Sequence, residues 1–249
     1  MNNLSQHVII GELLEDNFRY ASVLYDYGID FDKYISKTLE EICLEKGLNV
    51  HNIIRQLESI NKPDGIPSEI FSYSLDLVVA YLQHTHKHFV KSRMPFIANL
   101  IDRSDAALFC CKDLAEDLKL IFPVFREDFI AHIYEEEDSL FQYVLLLHEY
   151  DQHGTNAVKL YPYLRKYSIN EFALEHLLED EMEGIRKLTE NYHIRPEASM
   201  HEKLILSELK SFDEDLAVHA RIEDQVLLNK AMYVEQSVRR KMERKSHLN

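Results

Sequence analysis

Glycine and proline are scarce in this chain, with six of each among 249 residues. β-Sandwiches, β-barrels and folds that hold nucleotides in glycine-rich loops need more turn residues than that. No apolar run reaches the roughly 18 residues of a membrane-spanning helix, so we expect no membrane partner. Hydrophobic residues nevertheless make up 46% of the chain, which excludes disorder. The sequence therefore predicts an all-α protein of long helices with few breaks.

Positive charge and cysteine are also in short supply. Lysine and arginine number 28 against 43 aspartates and glutamates, for a formal net charge of −15. Because phosphate backbones are bound by clustered Lys and Arg, we expect no nucleic-acid partner. The three cysteines are Cys43 and the adjacent pair Cys110 and Cys111, and the first residues lack the pattern of a secretory leader. These features favour a reducing compartment, and we expect a cytoplasmic protein.

Local signals divide the chain into a small helical domain over residues 1–60 and a helical bundle over 68–245. In the first part, Thr38 and Glu41 have the spacing of a capping box, and Gly47 should end that helix. The segment 61–67 holds two prolines and one glycine and predicts a linker. Four long helices should follow, at about 68–101, 106–147, 170–192 and 199–242, with Pro123 kinking or splitting the second. Helices with short connections predict an antiparallel four-helix bundle.

Each of these four helices carries two potential metal ligands spaced four residues apart, which places them on one helix face. The pairs are His84 with His88, His132 with Glu136, His176 with Asp180, and His219 with Glu223. Any single pair of this kind is also common on an exposed helix surface. Two of the pairs, however, fall within apolar rows.

Glu136 and Glu223 lie in apolar rows that also contain Phe129, Leu140 and Leu227. A carboxylate on such a row is costly to bury without a partner. A metal ion would explain both glutamates, and helical bundles build such centres from inward His and carboxylate side chains. Imidazole with carboxylate suits iron, manganese or zinc.

Several segments resemble hemerythrin-like domains. Residues 132–141 resemble their His-x-x-x-Glu-Glu-x-x-Leu-Phe motif, and residues 215–224 resemble their Asp-Leu-x-x-His-x-x-x-Glu-Asn motif. Residues 27–31 and 37–41 are similar to the small domain that precedes the bundle in the repair-of-iron-centres (RIC) family, and the resemblance covers about residues 9–232. It implies a hemerythrin-like four-helix bundle with a di-iron centre. It also implies repair of iron–sulfur clusters after oxidative or nitrosative stress, by iron donation or nitric-oxide chemistry, with iron–sulfur proteins as clients and a homodimer.

The chain departs from the family pattern at three places. Residues 32–35 read Asp-Lys-Tyr-Ile where the family has Cys-Cys-Gly-Gly. Counting back from Pro95 puts Lys87 at the family's first ligand histidine, and Asp180 takes the histidine's place on the third helix. Asp180 should face the centre, with His176 one turn away on the same side.

Two arrangements of the first helix are open. Either Lys87 lies inward and its ammonium replaces one metal ion, or His84 or His88 turns inward, which we favour. The first helix also carries His86, between these two histidines.

Three functions therefore stay open. The first is a di-iron repair protein. The second is a hemerythrin-like binding or regulatory protein with one metal or none, and the third is an oxygen or nitric-oxide sensor. No nucleophile or acid–base pair points to hydrolysis, and enzymatic activity is left open.

Overall fold

The computed structural model describes residues 4–60, 65–105, 109–178 and 180–246. Throughout these ranges the regular structure is helical, apart from one isolated β-bridge between Ile9 and Thr38. The all-α prediction is therefore confirmed. None of the helices in these ranges is both long and apolar enough to cross a membrane.

Short helices fill the first 60 residues, as predicted. Their bounds are α1 Ile10–Asp16, α2 Tyr20–Asp26, α3 Phe31–Tyr34, α4 Leu39–Lys46 and α5 Val50–Ile60. The capping box at the start of α4 is confirmed, because the Thr38 hydroxyl accepts from the Glu41 amide and the Glu41 carboxylate accepts from the Thr38 amide. Gly47 ends α4 in the left-handed conformation, at φ 67°, which glycine adopts without a Cβ penalty.

Longer helices follow, several of them interrupted by π-helical turns. They are a 3₁₀ turn Ser68–Ser72, α6 Leu75–His88, a π segment Phe89–Arg93, α7 Met94–Asp102, α8 Lys112–Glu136, a π segment Glu137–Phe141, α9 Gln142–His153, α10 Ala157–Lys166, α11 Ile169–His176, α12 Glu183–Leu188, α13 Met200–Ile222, a π segment Glu223–Leu228 and α14 Asn229–Ser246.

The helical segments predicted at about 68–101, 106–147 and 199–242 are confirmed for the residues that the structure describes. Residues 61–64 of the predicted linker, and 106–108 at the predicted start of the second helix, lie outside the described residues. Pro123 does not split its helix, since α8 runs from Lys112 to Glu136 around it.

The continuous helix predicted over 170–192 is wrong. Two helices lie there instead: α11, which ends at His176, and α12, which begins at Glu183. A further helix, α10, lies in the stretch that the sequence left unassigned.

The folded chain divides into two compact units, each built from separate stretches of sequence. Unit 1 comprises Met1–Asp64, Val90–Pro123 and Gly184–Glu214, and unit 2 comprises Gly65–Phe89, Val124–Glu183 and Asp215–Asn249. The division at 1–60 and 68–245 that the sequence suggests stays a prediction.

Unit 2 carries every residue of the candidate site. It is bundle-like, and its core is formed by the apolar faces of α6, α9, the last two π segments and α14. Along α6 the buried positions are Leu75, Val78, Val79 and Leu82, spaced at three and four residues as a core-facing helix requires. Phe141, Tyr143 and Val144 are fully buried in the same core. A site on the inner face of these helices is therefore held by close-packed side chains.

Candidate metal centre

Four side chains that could bind a metal ion meet inside unit 2. One potential ligand atom from each of His86, Glu136, His219 and Glu223 lies within 4.8 Å of all the others. All four side chains are at least nine-tenths buried. They form the one such group found among the described residues. We call these four residues the His/Glu group.

The distances inside the His/Glu group fit donors that face one point. His86 Nε2 and His219 Nε2 are 2.9 Å apart. Glu223 Oε1 is 3.0 Å from His219 Nε2, and Glu136 Oε2 is 3.5 Å from His86 Nε2. Two ligands that each lie about 2.1 Å from one ion are roughly 3.0–3.4 Å apart at octahedral or tetrahedral angles. The group therefore has the size of a metal coordination shell.

A π-helical segment begins at or close to each part of the chain that carries a residue of the His/Glu group. Glu136 directly precedes the π segment 137–141, Glu223 begins the segment 223–228, and the segment 89–93 starts three residues after His86. Isolated π turns are rare and occur frequently at functional sites, because each adds a residue and re-aims the side chains around it. Their repetition here favours a functional role for the group.

Two further carboxylates orient histidines from outside the His/Glu group. Glu137 Oε1 lies 2.9 Å from His86 Nδ1, and Asp224 Oδ1 lies 2.9 Å from His176 Nδ1. An Nδ1–H that donates to a carboxylate leaves the Nε2 lone pair to face the centre, which is the usual arrangement behind a metal-binding histidine.

His176 extends the His/Glu group on the side of Glu223. Its Nε2 is 3.0 Å from Glu223 Oε2, and 15% of the side chain is exposed. The hydrogen bond to Glu223 raises the pKa of His176 to about 9, with the charges of Glu223 and Asp224 acting in the same direction against the effect of burial. Without a metal, His176 is therefore an imidazolium paired with Glu223 at neutral pH.

His86 and Glu223, unlike His176, are in their metal-binding protonation states at neutral pH. Burial lowers the pKa of His86 to about 3, and the nearby His219 adds to this effect, so His86 is neutral. Burial acts to raise the pKa of Glu223, but the charge of His219 and hydrogen bonds from His176 and His219 outweigh it and hold that pKa well below its usual value. The site thus offers a neutral imidazole and a carboxylate, as metal ligation requires.

Aromatic rings cover the inner side of the His/Glu group. Phe141 stacks on His86 with ring centroids 5.4 Å apart, and Phe89 meets His219 edge-on at 5.6 Å. Phe89 also contacts Phe129, at 6.3 Å. These rings exclude water on this side and so strengthen the electrostatic interactions inside the site.

The structure brings together only some of the residues predicted from the sequence. Glu136, His219 and Glu223 meet, with His176 beside them. His132 is half-buried, 3.5 Å from Glu181, and lines a cavity of about 310 Å³ together with Glu136 and His176. Whether any of these residues binds a metal stays a prediction.

The expectation that His84 or His88 turns inward is wrong, and so is the alternative with Lys87 inward. All three residues are exposed, and His86 takes the inward position. The π segment 89–93 explains the error. A π turn uses one residue more than an α turn, so counting back from Pro95 along an ideal helix reaches Lys87 instead of His86. The apolar row of α6, which runs through Val78 and Leu82 to His86 in steps of four, was the signal that identifies His86.

Asp180 does not join the His/Glu group. It is exposed and lies between α11 and α12. Because α11 ends at His176, the helical spacing that would have placed Asp180 on the same face is lost. His176 approaches the centre in its place.

The geometry of this site is the main guide to function, because no known protein-family model matches the chain.

Proposed function

We propose that this chain is a hemerythrin-like iron protein that acts in the repair of iron–sulfur clusters after oxidative or nitrosative stress. The observation that carries the proposal is the buried His/Glu group, with His132 and His176 beside it. Together these six residues are four histidines and two glutamates. That is the ligand complement implied by the resemblance to the RIC family, with His86 and His176 in the positions where counting places Lys87 and Asp180.

The residues present fit iron. Nitrogen and oxygen donors without a thiolate suit Fe, Mn or Zn, and two carboxylates balance much of the charge of a divalent pair. When bound, iron would supply an exchangeable metal and an open coordination position for a small ligand such as nitric oxide. The chain itself would orient His86 through Glu137 and His176 through Asp224, and exclude water with the rings of Phe89 and Phe141.

The positions of the candidate ligands support a role in repair. His176 is part-exposed and borders a cavity, while His86 and His219 are buried. A site of this kind can hold iron and still release it to an apo or damaged cluster in an iron–sulfur protein. A cytoplasmic location and a homodimer belong to the same proposal, on the composition and the family resemblance respectively.

Metal content separates this proposal from its alternatives. Protein produced in iron-replete cells should contain close to two irons per chain and show near-ultraviolet absorption from ferric iron. His86→Ala should lower the iron content sharply, whereas Lys87→His should leave it unchanged, because Lys87 is exposed. His84→Ala is the matched control for loss of an exposed histidine on the same helix. Full iron content in His86→Ala would contradict the site.

A second candidate is a hemerythrin-like binding or regulatory protein with one metal or none. The contact that favours it is the ion pair between His176 and Glu223, at 3.0 Å, which neutralises a buried carboxylate without a metal. Absence of metal after iron-replete growth would select this candidate. An oxygen or nitric-oxide sensor shares the iron site, and a spectral response to either gas without iron transfer to an apo client would distinguish it from a repair protein.

A further inference from the structure

Two cavities adjoin the His/Glu group and share part of their walls. The inner cavity, of about 310 Å³, is lined by the candidate ligands His132, Glu136 and His176. The outer cavity, of about 580 Å³, extends past the ends of α10 and α11. The residues lining both cavities are Glu135, Ser139, Phe172 and Glu175. The inner cavity therefore borders both the candidate ligands and the outer cavity.

The rim of the outer cavity is strongly acidic. It carries four exposed carboxylates and one ammonium, from Glu135, Asp138, Glu171, Glu175 and Lys166. Glu135 and Glu175 belong to α8 and α11 and line both cavities. Clefts lined by one sign of charge raise the local concentration of the oppositely charged ion and its association rate.

Lys166 is the basic residue on this rim. Its ammonium lies 2.5 Å from the Tyr167 hydroxyl, and this hydrogen bond is the main cause that raises the pKa of Lys166, with a smaller contribution from the charge of Glu135. The positive charge of this ammonium repels a metal cation that approaches the acidic rim. Removing it should therefore have the opposite effect to removing a carboxylate.

We propose that divalent metal ions reach and leave the His/Glu group through this acidic mouth, between Glu135 and Glu175, and that Lys166 slows their passage. Aromatic rings cover the inner side of the His/Glu group, so a metal ion can approach the group from the side of the inner cavity. The inference rests on the proposed metal site and adds its access route. It assigns Glu135 and Glu175 a role in the rate of metal exchange and not in metal ligation.

Stopped-flow absorbance with Co²⁺ as the probe tests the route on the metal-free full-length protein. Glu135→Gln and Glu175→Gln should each lower the association rate roughly threefold to sixfold at low ionic strength, as expected when one charge is removed about 8 Å from a divalent ion. Lys166→Met should raise the rate by a similar factor. All three effects should shrink in high salt. Glu127→Gln, which removes an exposed carboxylate further back on α8, is the matched control and should leave the rate unchanged.

A steric variant tests the path independently of charge. Ser139 lines both cavities, so Ser139→Leu should slow association and dissociation by the same factor and leave the dissociation constant unchanged. Unchanged association rates in the Glu135, Glu175 and Lys166 variants would overturn the route. An altered visible spectrum of bound Co²⁺ in Glu175→Gln would also overturn it, because Glu175 would then be a ligand. Failure of the wild-type protein to bind Co²⁺ would instead reject the metal site itself.

Discussion

The ion pair between His176 and Glu223 makes the stability of the metal-free protein depend on pH. The pKa of His176 is raised from 6.5 to about 9 in the folded state. Between these values the folded protein holds a proton that the unfolded chain has lost, so stability falls as the pH rises. The contribution is fully present below pH 6.5 and is gone above about pH 9. At 1.36 kcal/mol per pKa unit, it amounts to about 3 kcal/mol.

His176→Gln isolates this contribution, because glutamine keeps a hydrogen-bonding side chain without the charge. Urea denaturation in the presence of a chelator gives the free energy of unfolding. The difference between wild type and variant should be about 3 kcal/mol at pH 6 and should nearly vanish by pH 9.5. The titration of His86 should cancel in this comparison. Its pKa is lowered from 6.5 to about 3, so its effect on stability begins below about pH 6.5 and is common to both proteins.

His84→Gln, at an exposed position of α6, is the control and should change stability by no more than about 0.5 kcal/mol at any pH. Nuclear magnetic resonance of the histidine side chains measures the titration directly. A His176 that titrates near pH 6.5, or a wild-type-to-variant difference that is constant from pH 6 to 9.5, would refute the reasoning.

Two further predictions concern the wider site, and a third concerns the core outside it. Glu137→Gln and Asp224→Asn should each weaken metal binding about 10- to 100-fold in competition with a chromophoric chelator, because each removes the carboxylate behind a histidine. Metal binding at pH 7 should release about one proton, from the imidazolium of His176, and calorimetry in buffers of different ionisation enthalpy measures this number. Away from the site, Tyr143→Phe should cost about 1–2 kcal/mol, since its buried hydroxyl donates to Glu235 at 2.6 Å. Urea denaturation checks this value, and an unchanged midpoint would contradict it.

Local sequence signals were sufficient to predict that the protein is all-α and where several helices begin or end. The capping box at Thr38 and Glu41 and the stop at Gly47 depend on neighbouring residues alone, so they can be recognised without the tertiary structure. The break between α11 and α12 lacks such a signal. Residues 177–182 read Leu-Leu-Glu-Asp-Glu-Met, without glycine or proline, and the nearest glycine, Gly184, lies inside α12. No turn residue therefore marks this break in the sequence, and Leu177 and Leu178 within it are exposed.

The position of His86 illustrates a second limit. A family motif assigns a residue by counting from a reference position, here Pro95. That count assumes an α-helix without π turns. The π segment between His86 and Pro95 has no distinctive composition, so the extra residue could not be recognised from the sequence. The burial pattern of α6 does not cross the π segment, because Leu75, Leu82 and His86 all precede it. Hydrophobic periodicity within one helix was therefore the better guide to the inward residue.

An acidic residue directly follows each of the two buried glutamates and contacts a histidine of another helix. Glu137 follows Glu136, and Asp224 follows Glu223. Adjacent helical residues point about 100° apart, so when the first acid faces the centre the second faces a neighbouring helix. Each of these second acids meets a histidine of another helix at 2.9 Å. The motif His-x-x-x-Glu followed by Asp or Glu thus encodes two contributions: a candidate ligand pair on its own helix and the orienting partner for a histidine elsewhere. That dual use explains how one short motif, occurring twice, assembles a site that also draws on α6 and α11.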